Sequence, residues 1–259
     1  MADQLDLFSD NSSNPDGLLN AKNFREPASG STNTNTEDYS GMEKLYELSA
    51  DAYSAVANAR MDDSLNKTCL PLYIQKVLDA VQAVTDATPS GKNETAAQLA
   101  AREAADRAAS DRGDPLVRIV LESAQRVGRE IHRLMGLLRF NPRNDGIWLA
   151  RCAPDNSILH VFAWYFMRRF GEVPWVIIDE KRGLALVRLA NEEPVLGPLS
   201  AFPFLSELDL AEDDWEELWR SYHKSVNIEN RKNPALQIQL MPRRYWKYLP
   251  EINRNSTET

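Results

Sequence analysis

The sequence predicts an α+β fold: a central antiparallel sheet of β-β-α-β-β order, flanked by helices, with a disordered N-terminal tail. Three observations carry this reading. Short β-branched and aromatic runs sit in pairs on either side of one helical stretch in the middle of the chain. Helical periodicity dominates both flanks. From Ser9 to Ser40 the chain is mostly Ser, Asn, Asp, Thr, Gly and Pro, with few aliphatic residues besides Leu18 and Leu19. Such a composition cannot bury enough apolar surface to offset the entropy of ordering it.

Helical patterning starts near Met42, where Leu45, Leu48, Ala52, Ala55 and Val56 recur at helical spacing. A second apolar helix is expected from Leu70 to Val84, followed by the loop signature Thr88-Pro89-Ser90-Gly91. Asn93 to Ala109 is rich in Ala, Glu and Arg and lacks a wide apolar stripe. It is read as an exposed helix, a solvated spacer. Asp114-Pro115 is a clean helix start, since Asp caps and Pro fits the first turn. That helix is expected to run to about Met135. Leu116, Val120, Val127, Ile131 and Leu134 line one face, and Arg118, Arg126, Arg129 and Arg133 lie off it.

The period then changes. Leu137–Phe140 and Ile147–Arg151 read as strands around the turn Asn141–Gly146. Ile158–Phe170 reads as a helix. Trp175–Ile178 and Leu184–Val187 read as two more strands, joined by the short turn Asp179–Gly183. Beyond them Trp215, Leu218, Trp219, Tyr222 and Val226 form a helical stripe. Asp213, Asp214, Glu216 and Glu217 crowd its first turn, where they suit the helix dipole. Asn233-Pro234 starts a further short helix. Met241-Pro242 ends it and starts another, through Leu249. The domain organisation expected is a tail at 1–41, a helical region at 42–114, an α+β domain at 115–251 and a short tail at 252–259.

Composition narrows the chemistry. The chain has 259 residues, 43% of them hydrophobic, and a formal net charge of -8. Taken whole, that charge argues against a generic polyanion binder. The average hides unlike parts, however. Residues 115–190 hold 12 basic and 7 acidic side chains, and residues 218–249 hold 7 and 1, so both are cationic. Residues 1–42 and 191–217 are acidic, and they are expected to limit non-specific DNA binding. Two distant cysteines, Cys69 and Cys152, support neither a zinc site, an iron–sulfur cluster nor a disulfide scaffold. His132, His160 and His223 fit no metal-ligand spacing. No metal or cofactor is therefore expected, and cluster chemistry would have to come from a partner. With no membrane-length apolar run and no basic start followed by an apolar stretch, neither a membrane association nor a secretory signal is expected. A reducing cytoplasmic compartment is the default.

Three stretches go beyond generic helix and strand: Glu130–Phe140 (EIHRLMGLLRF), Pro174–Leu186 (PWVIIDEKRGLAL) and Asn230–Glu251 (NRKNPALQIQLMPRRYWKYLPE). Together they resemble a bacterial family labelled "probable DNA metabolism protein", over roughly Pro115 to Glu251. The domain also occurs fused to uracil-DNA glycosylase-like domains. In stand-alone form it is typically encoded beside a radical SAM protein proposed to modify or repair DNA. The resemblance implies a process and two partners, DNA and that radical SAM protein, but no catalytic residues. The family's usual opening strand is not evident here, and the alanine-rich stretch reads as an insertion.

Arg243, Arg244 and Lys247 interleave with Tyr245 and Trp246, so on a nucleic acid the cations would take phosphates and an aromatic would stack. Trp246 with Leu249 would equally anchor a terminal helix. Arg129 and Arg133 lie four apart on the long helix, and Lys181 and Arg182 lie in the second turn. With Arg139, Arg143, Arg168 and Arg169 they make the central module basic. The weak catalytic candidates are His132, Asp179 and Glu180, although a structural hydrogen bond or turn solvation also accounts for them. Gln4, Leu5, Asp6, Leu7 and Phe8 match the short peptide by which bacterial replication and repair proteins bind the sliding clamp. The expected function is a DNA-binding accessory subunit. A glycosylase-like repair enzyme or a protein scaffold are the alternatives.

Overall fold

The computed structural model describes residues 41–87, 94–205 and 215–252. The Gln4–Phe8 peptide, the rest of the tail to Ser40, the Thr88–Gly91 loop and the acidic pair Asp213 and Asp214 lie outside the described residues. The chain divides into two compact units. Among the described residues, the first runs to Arg129 and the second starts at Glu130.

The first unit is helical: α1 (Met42–Leu48), α2 (Ala50–Ala59), α3 (Cys69–Ala87), α4 (Glu94–Ser110) and most of α5 (Pro115–Leu137). The periodic run from Met42 is broken once, at Ser49. Its backbone is extended and its hydroxyl accepts from the Ala52 N–H at 3.1 Å, so the chain ends one helix and caps the next. Gly41 precedes α1 with φ of 103°, and a Cβ there would come within 2.9 Å of Leu78. Glycine serves both the backbone and the close approach. The Asp114 cap forms as read: its carboxylate accepts from Leu116 N–H at 2.8 Å and Val117 N–H at 3.1 Å, and pairs with Lys76.

Helix α4 departs from the spacer reading. Ala105 and Ala109 are buried in the same core as Leu70, Tyr73, Ile74 and Val120, and the Tyr73 hydroxyl donates to the Ala109 carbonyl. Alanines at i and i+4 form a narrow face that lets two helices approach closely. Its hydrophobicity is too low to register as a stripe.

The second unit is built on a five-stranded sheet in the order β1 (Phe140–Pro142), β2 (Trp148–Cys152), β3 (Trp175–Asp179), β4 (Leu184–Arg188) and β5 (Val195–Pro198). The sheet is mixed rather than antiparallel, because β2 and β3 are parallel while the other neighbours are antiparallel. The cause is α6 (Phe162–Phe170), preceded by a 3-10 turn at Leu159–Val161. A crossing helix returns the chain to the end from which the first strand started, so the next strand runs the same way. Strand β5 went unread because Glu192, Glu193 and Pro194 before it, and Gly197 and Pro198 within it, are loop formers. The first strand also starts later than expected, since α5 continues to Leu137.

Strand β3 is buried along its whole length, as its unbroken apolar run requires. Leu149, Val176, Ile178, Ala185 and Val187 make a core with Leu205, against which Leu199 and Phe202 pack. Phe166 of α6 packs against Trp175 and Phe140. Arg143 does not join a basic surface: it is buried in the β1–β2 turn, bound to Asp145 and to the Phe204 carbonyl. After the sheet come α7 (Trp215–Val226), α8 (Pro234–Leu240), capped by the Asn233 side chain, and a 3-10 turn at Arg243–Tyr248.

Candidate functional site

The parallel pair β2 and β3 places Cys152 and Asp179 side by side at their carboxyl ends, and the loops that follow leave the sheet from there. The Glu180 N–H donates to the Cys152 carbonyl at 2.9 Å, which joins the two loops. β2 also brings Arg151, and two further elements supply the rest: the last turns of α5 bring Glu130, and the 3-10 turn brings Arg244, Tyr245, Lys247 and Tyr248.

Glu130 is the buried centre, 2% exposed. It accepts from the backbone N–H groups of Asp155 (2.8 Å) and Asn156 (3.0 Å) and from the Asn156 side-chain amide (2.6 Å). The Tyr245 hydroxyl also donates to it, and the Arg244 guanidinium lies 3.3 Å away. Burial and the Glu130 charge push the Tyr245 hydroxyl well above its ordinary range, so it stays a donor. A buried carboxylate needs this many partners, because unpaired it would pay a large desolvation cost.

Asp179 is fully buried, and its role is local. It accepts from Lys181 N–H at 2.9 Å and from the Arg182 guanidinium at 2.8 Å, which folds the β3–β4 turn back on itself. Glu180 points elsewhere, into an ion pair with Arg151, a bond from Lys247 at 2.9 Å and one from the Tyr248 hydroxyl at 2.5 Å. Burial would raise the Glu180 pKa, but the Tyr248 and Lys247 bonds and the Arg151 charge outweigh it and hold the carboxyl below its usual range. Tyr248 is pushed up to about 12, by burial and then by Glu180. Cys152 is buried, and that burial, with Asp179 nearby, pushes its thiol far up. It packs as a small apolar group rather than acting as a nucleophile.

The surface of this cluster is cationic and converges on one residue. Lys181 donates to the Asp155 carbonyl at 2.8 Å and Arg182 to the same oxygen at 2.7 Å, while Arg244 pairs with the Asp155 carboxylate at 2.9 Å. The structure therefore brings together Lys181, Arg182, Arg244 and Lys247 from the residues the sequence suggested. Arg243 stands beside them, exposed, its guanidinium 5.7 Å above the Trp246 ring. Trp246 is half-buried and donates its indole N–H to the Met241 carbonyl at 2.7 Å, so it pins the turn. Arg129 and Arg133, one turn apart on α5, make no ion pair among the described residues, and neither does the exposed His132.

Turn solvation is the wrong account of Asp179 and Glu180, since the first is buried and the second is held by three side chains. Among the described residues, no hydrogen bond or ion pair joins His132 to Asp179 or Glu180. The sequence reading gives Glu130, Asp155 and Arg151 no part in the site: it treats Glu130 only as a neighbour of His132, and Asp155 only as a candidate cap of the helix at Ile158–Phe170. Glu130 carried a signal: it falls among the buried positions Val127, Ile131 and Leu134 of α5, where a carboxylate has to find partners. Among the described residues, no group of three or more His, Cys, Asp or Glu could hold a metal ion. No helix there is long and apolar enough to cross a membrane.

No curated protein and no solved structure matches the chain. A family model does match, from residue 93 to residue 251, and its span takes in α4 together with all the elements of the site, so the alanine-rich helix lies within the family domain. That span is more than half of the chain, which therefore belongs to the family described as Domain of unknown function (DUF4130).

Proposed function

We propose that the protein is a DNA-binding accessory subunit of DNA metabolism or repair, in the cytoplasm, acting with a radical SAM protein that modifies or repairs DNA. The observation that carries this reading is the convergence of Lys181, Arg182 and Arg244 on Asp155, with Lys247 and Arg151 gathered on the adjacent Glu180. Five cations from three segments meet at one end of the sheet. The exposed Arg244–Asp155 pair contributes only about 0–1 kcal/mol, so a phosphate can take the place of that carboxylate. The resemblance of Glu130–Phe140, Pro174–Leu186 and Asn230–Glu251 to a DNA metabolism family supports the same reading.

The test is fluorescence anisotropy with labelled single- and double-stranded DNA across a salt series. Binding is expected to weaken steeply as salt rises. Arg244→Gln and Lys247→Gln are each expected to cost roughly tenfold in affinity at low salt and to reduce the salt slope by about one. A flat salt dependence, or wild-type affinity in both variants, would overturn the reading. Co-purification with the radical SAM protein, with and without DNA, tests that partner. The Gln4–Phe8 peptide adds the sliding clamp as a further proposed partner, and equal recovery of wild type and a Leu7→Ala/Phe8→Ala variant on immobilised clamp would remove it.

A further inference from the structure

Helix α6 buries one face and leaves the other to solvent. Phe162, Ala163 and Phe166 are buried, and the Phe166 ring packs on Trp175. The outer face carries Trp164, 41% exposed, and the exposed Arg168 one turn later. Beside them the half-buried Tyr165 is followed, again one turn later, by the exposed Arg169. Helical residues four apart lie on the same side, about 6 Å apart along the axis. The run Trp164–Arg169 therefore sets out two rows, each an aromatic ring followed by a guanidinium. Gly171, with φ of 58°, ends the helix just after them. The only acid from Asn156 to Trp175 is Glu172, beyond that end.

Among the described residues, neither arginine makes a hydrogen bond or an ion pair, and no cation lies over the Trp164 ring. Elsewhere in this unit such groups satisfy one another. Arg139 lies over Trp219, Arg243 over Trp246 and Arg244 over Tyr245, 4.6–5.7 Å from the ring centroids. Arginines in a last turn suit the helix dipole, but the dipole gives no reason for an exposed tryptophan one turn before them. An exposed indole beside unpaired guanidinium groups suits a nucleobase stacked on the ring with its flanking phosphates on the cations. Bases within a duplex already stack on one another, so the strand that this ring selects has unpaired bases. We propose that the outer face of α6 binds single-stranded DNA, with a base on Trp164 and backbone phosphates on Arg168 and Arg169. This rests on the DNA reading and adds to it a strand preference that the cations around Asp155 and Glu180 do not supply.

The probes are fluorescein-labelled oligothymidylate, an abasic oligonucleotide of the same length and a duplex, each titrated with the full chain at low salt and followed by anisotropy. Trp164→Ala is expected to lower the affinity for oligothymidylate about tenfold and to leave the abasic strand and the duplex within about twofold of wild type. Trp164→Phe keeps a ring and should stay within about threefold on all three probes. Arg168→Gln/Arg169→Gln should weaken both single strands about tenfold and reduce their salt slope by about 1.4, since each phosphate contact on a single strand contributes about 0.7. Far-UV circular dichroism verifies folding, and the exposed arginines carry the test if Trp164→Ala does not fold. A wild type that binds no DNA removes the DNA reading and this site with it. A wild type that binds DNA while Trp164→Ala holds oligothymidylate as tightly as before overturns this site alone. An equal loss on the abasic strand, or full affinity for oligothymidylate in the arginine double variant, overturns it as well.

Discussion

Asp62 in the helical unit and Glu130 in the sheet unit are both carboxylates hidden from water, 1% and 2% exposed. Asp62 is satisfied close to home. It accepts from the backbone N–H and hydroxyl of Ser64 and from the Ser123 hydroxyl at 2.6 Å, and it pairs with Arg126. Its partners join the α2–α3 link to α5, and Lys67 donates to the Asp62 carbonyl at 2.5 Å. Glu130 gathers segments that are 25 and 115 residues away in sequence. Its network then passes through Arg244 to Asp155, on which Lys181 and Arg182 also converge. One buried acid closes a helix packing, whereas the other sets the backbone and one cation of a charged surface. Burial of charge is therefore not in itself a mark of function. What separates the two is whether the network stays within one local helix link or gathers cations from segments far along the chain.

The largest effect should come from removing the larger network. Glu130→Ala leaves two backbone N–H groups, an amide and a hydroxyl without an acceptor and Arg244 without its buried partner. The expected loss of stability is about 3–5 kcal/mol, measured by urea unfolding. The 152–157 loop should lose hydrogen-exchange protection at the same time. A loss no greater than that of Asp62→Ala would break the distinction between the two acids.

Asp62 gives the next effect, and it depends on pH. Burial pushes its pKa up, but bonds from Ser123, Ser64 and Arg126 outweigh that and bring it from 3.8 down to about 2. Because the folded-state value lies below the unfolded one, the ionised carboxylate stabilises the fold above pH 3.8. That contribution is withdrawn as pH falls and is gone below about 2. Its size is about 2 kcal/mol at neutral pH. Asp62→Asn should cost about that much at pH 7, and the urea midpoints of variant and wild type should converge toward pH 2. A constant gap between them would show that the charge is not what matters at this position.

Legibility followed the range of the interaction. The Asp114-Pro115 start and the Asn233 cap were readable because each residue bonds to backbone within three positions of itself. Strand β3 was readable from its apolar run. The parallel pairing of β2 and β3 was missed because direction depends on the whole crossover, not on either strand. Helix α4 was misjudged because alanine contributes little apolar area while permitting close approach. In the site, the cations of the Lys181-Arg182 turn and of the Arg243–Lys247 string stood out by composition. Their organisers did not, because Asp155 and Glu130 acquire their roles through partners far along the chain. Only the placement of Glu130 on a buried helical face was visible locally.

The smallest expected effect isolates the surface end of the Glu130 network. Asp155 is the most exposed acid of the cluster, with 56% of its side chain open to solvent, and its carboxylate occupies Arg244 at 2.9 Å. An incoming phosphate would have to displace it. Asp155→Asn removes that competitor and leaves the backbone carbonyl that receives Lys181 and Arg182, and the N–H given to Glu130, in place. DNA affinity at low salt should then rise about two- to threefold, the scale of a surface pair worth a few tenths to one kcal/mol. Stability should be nearly unchanged. Asp62→Asn, whose network meets none of these cations, should leave DNA affinity where it was. If Asp155→Asn weakens binding instead, the carboxylate positions Arg244 rather than competing for it, and the internal acid is part of the binding surface, not a stand-in for the ligand.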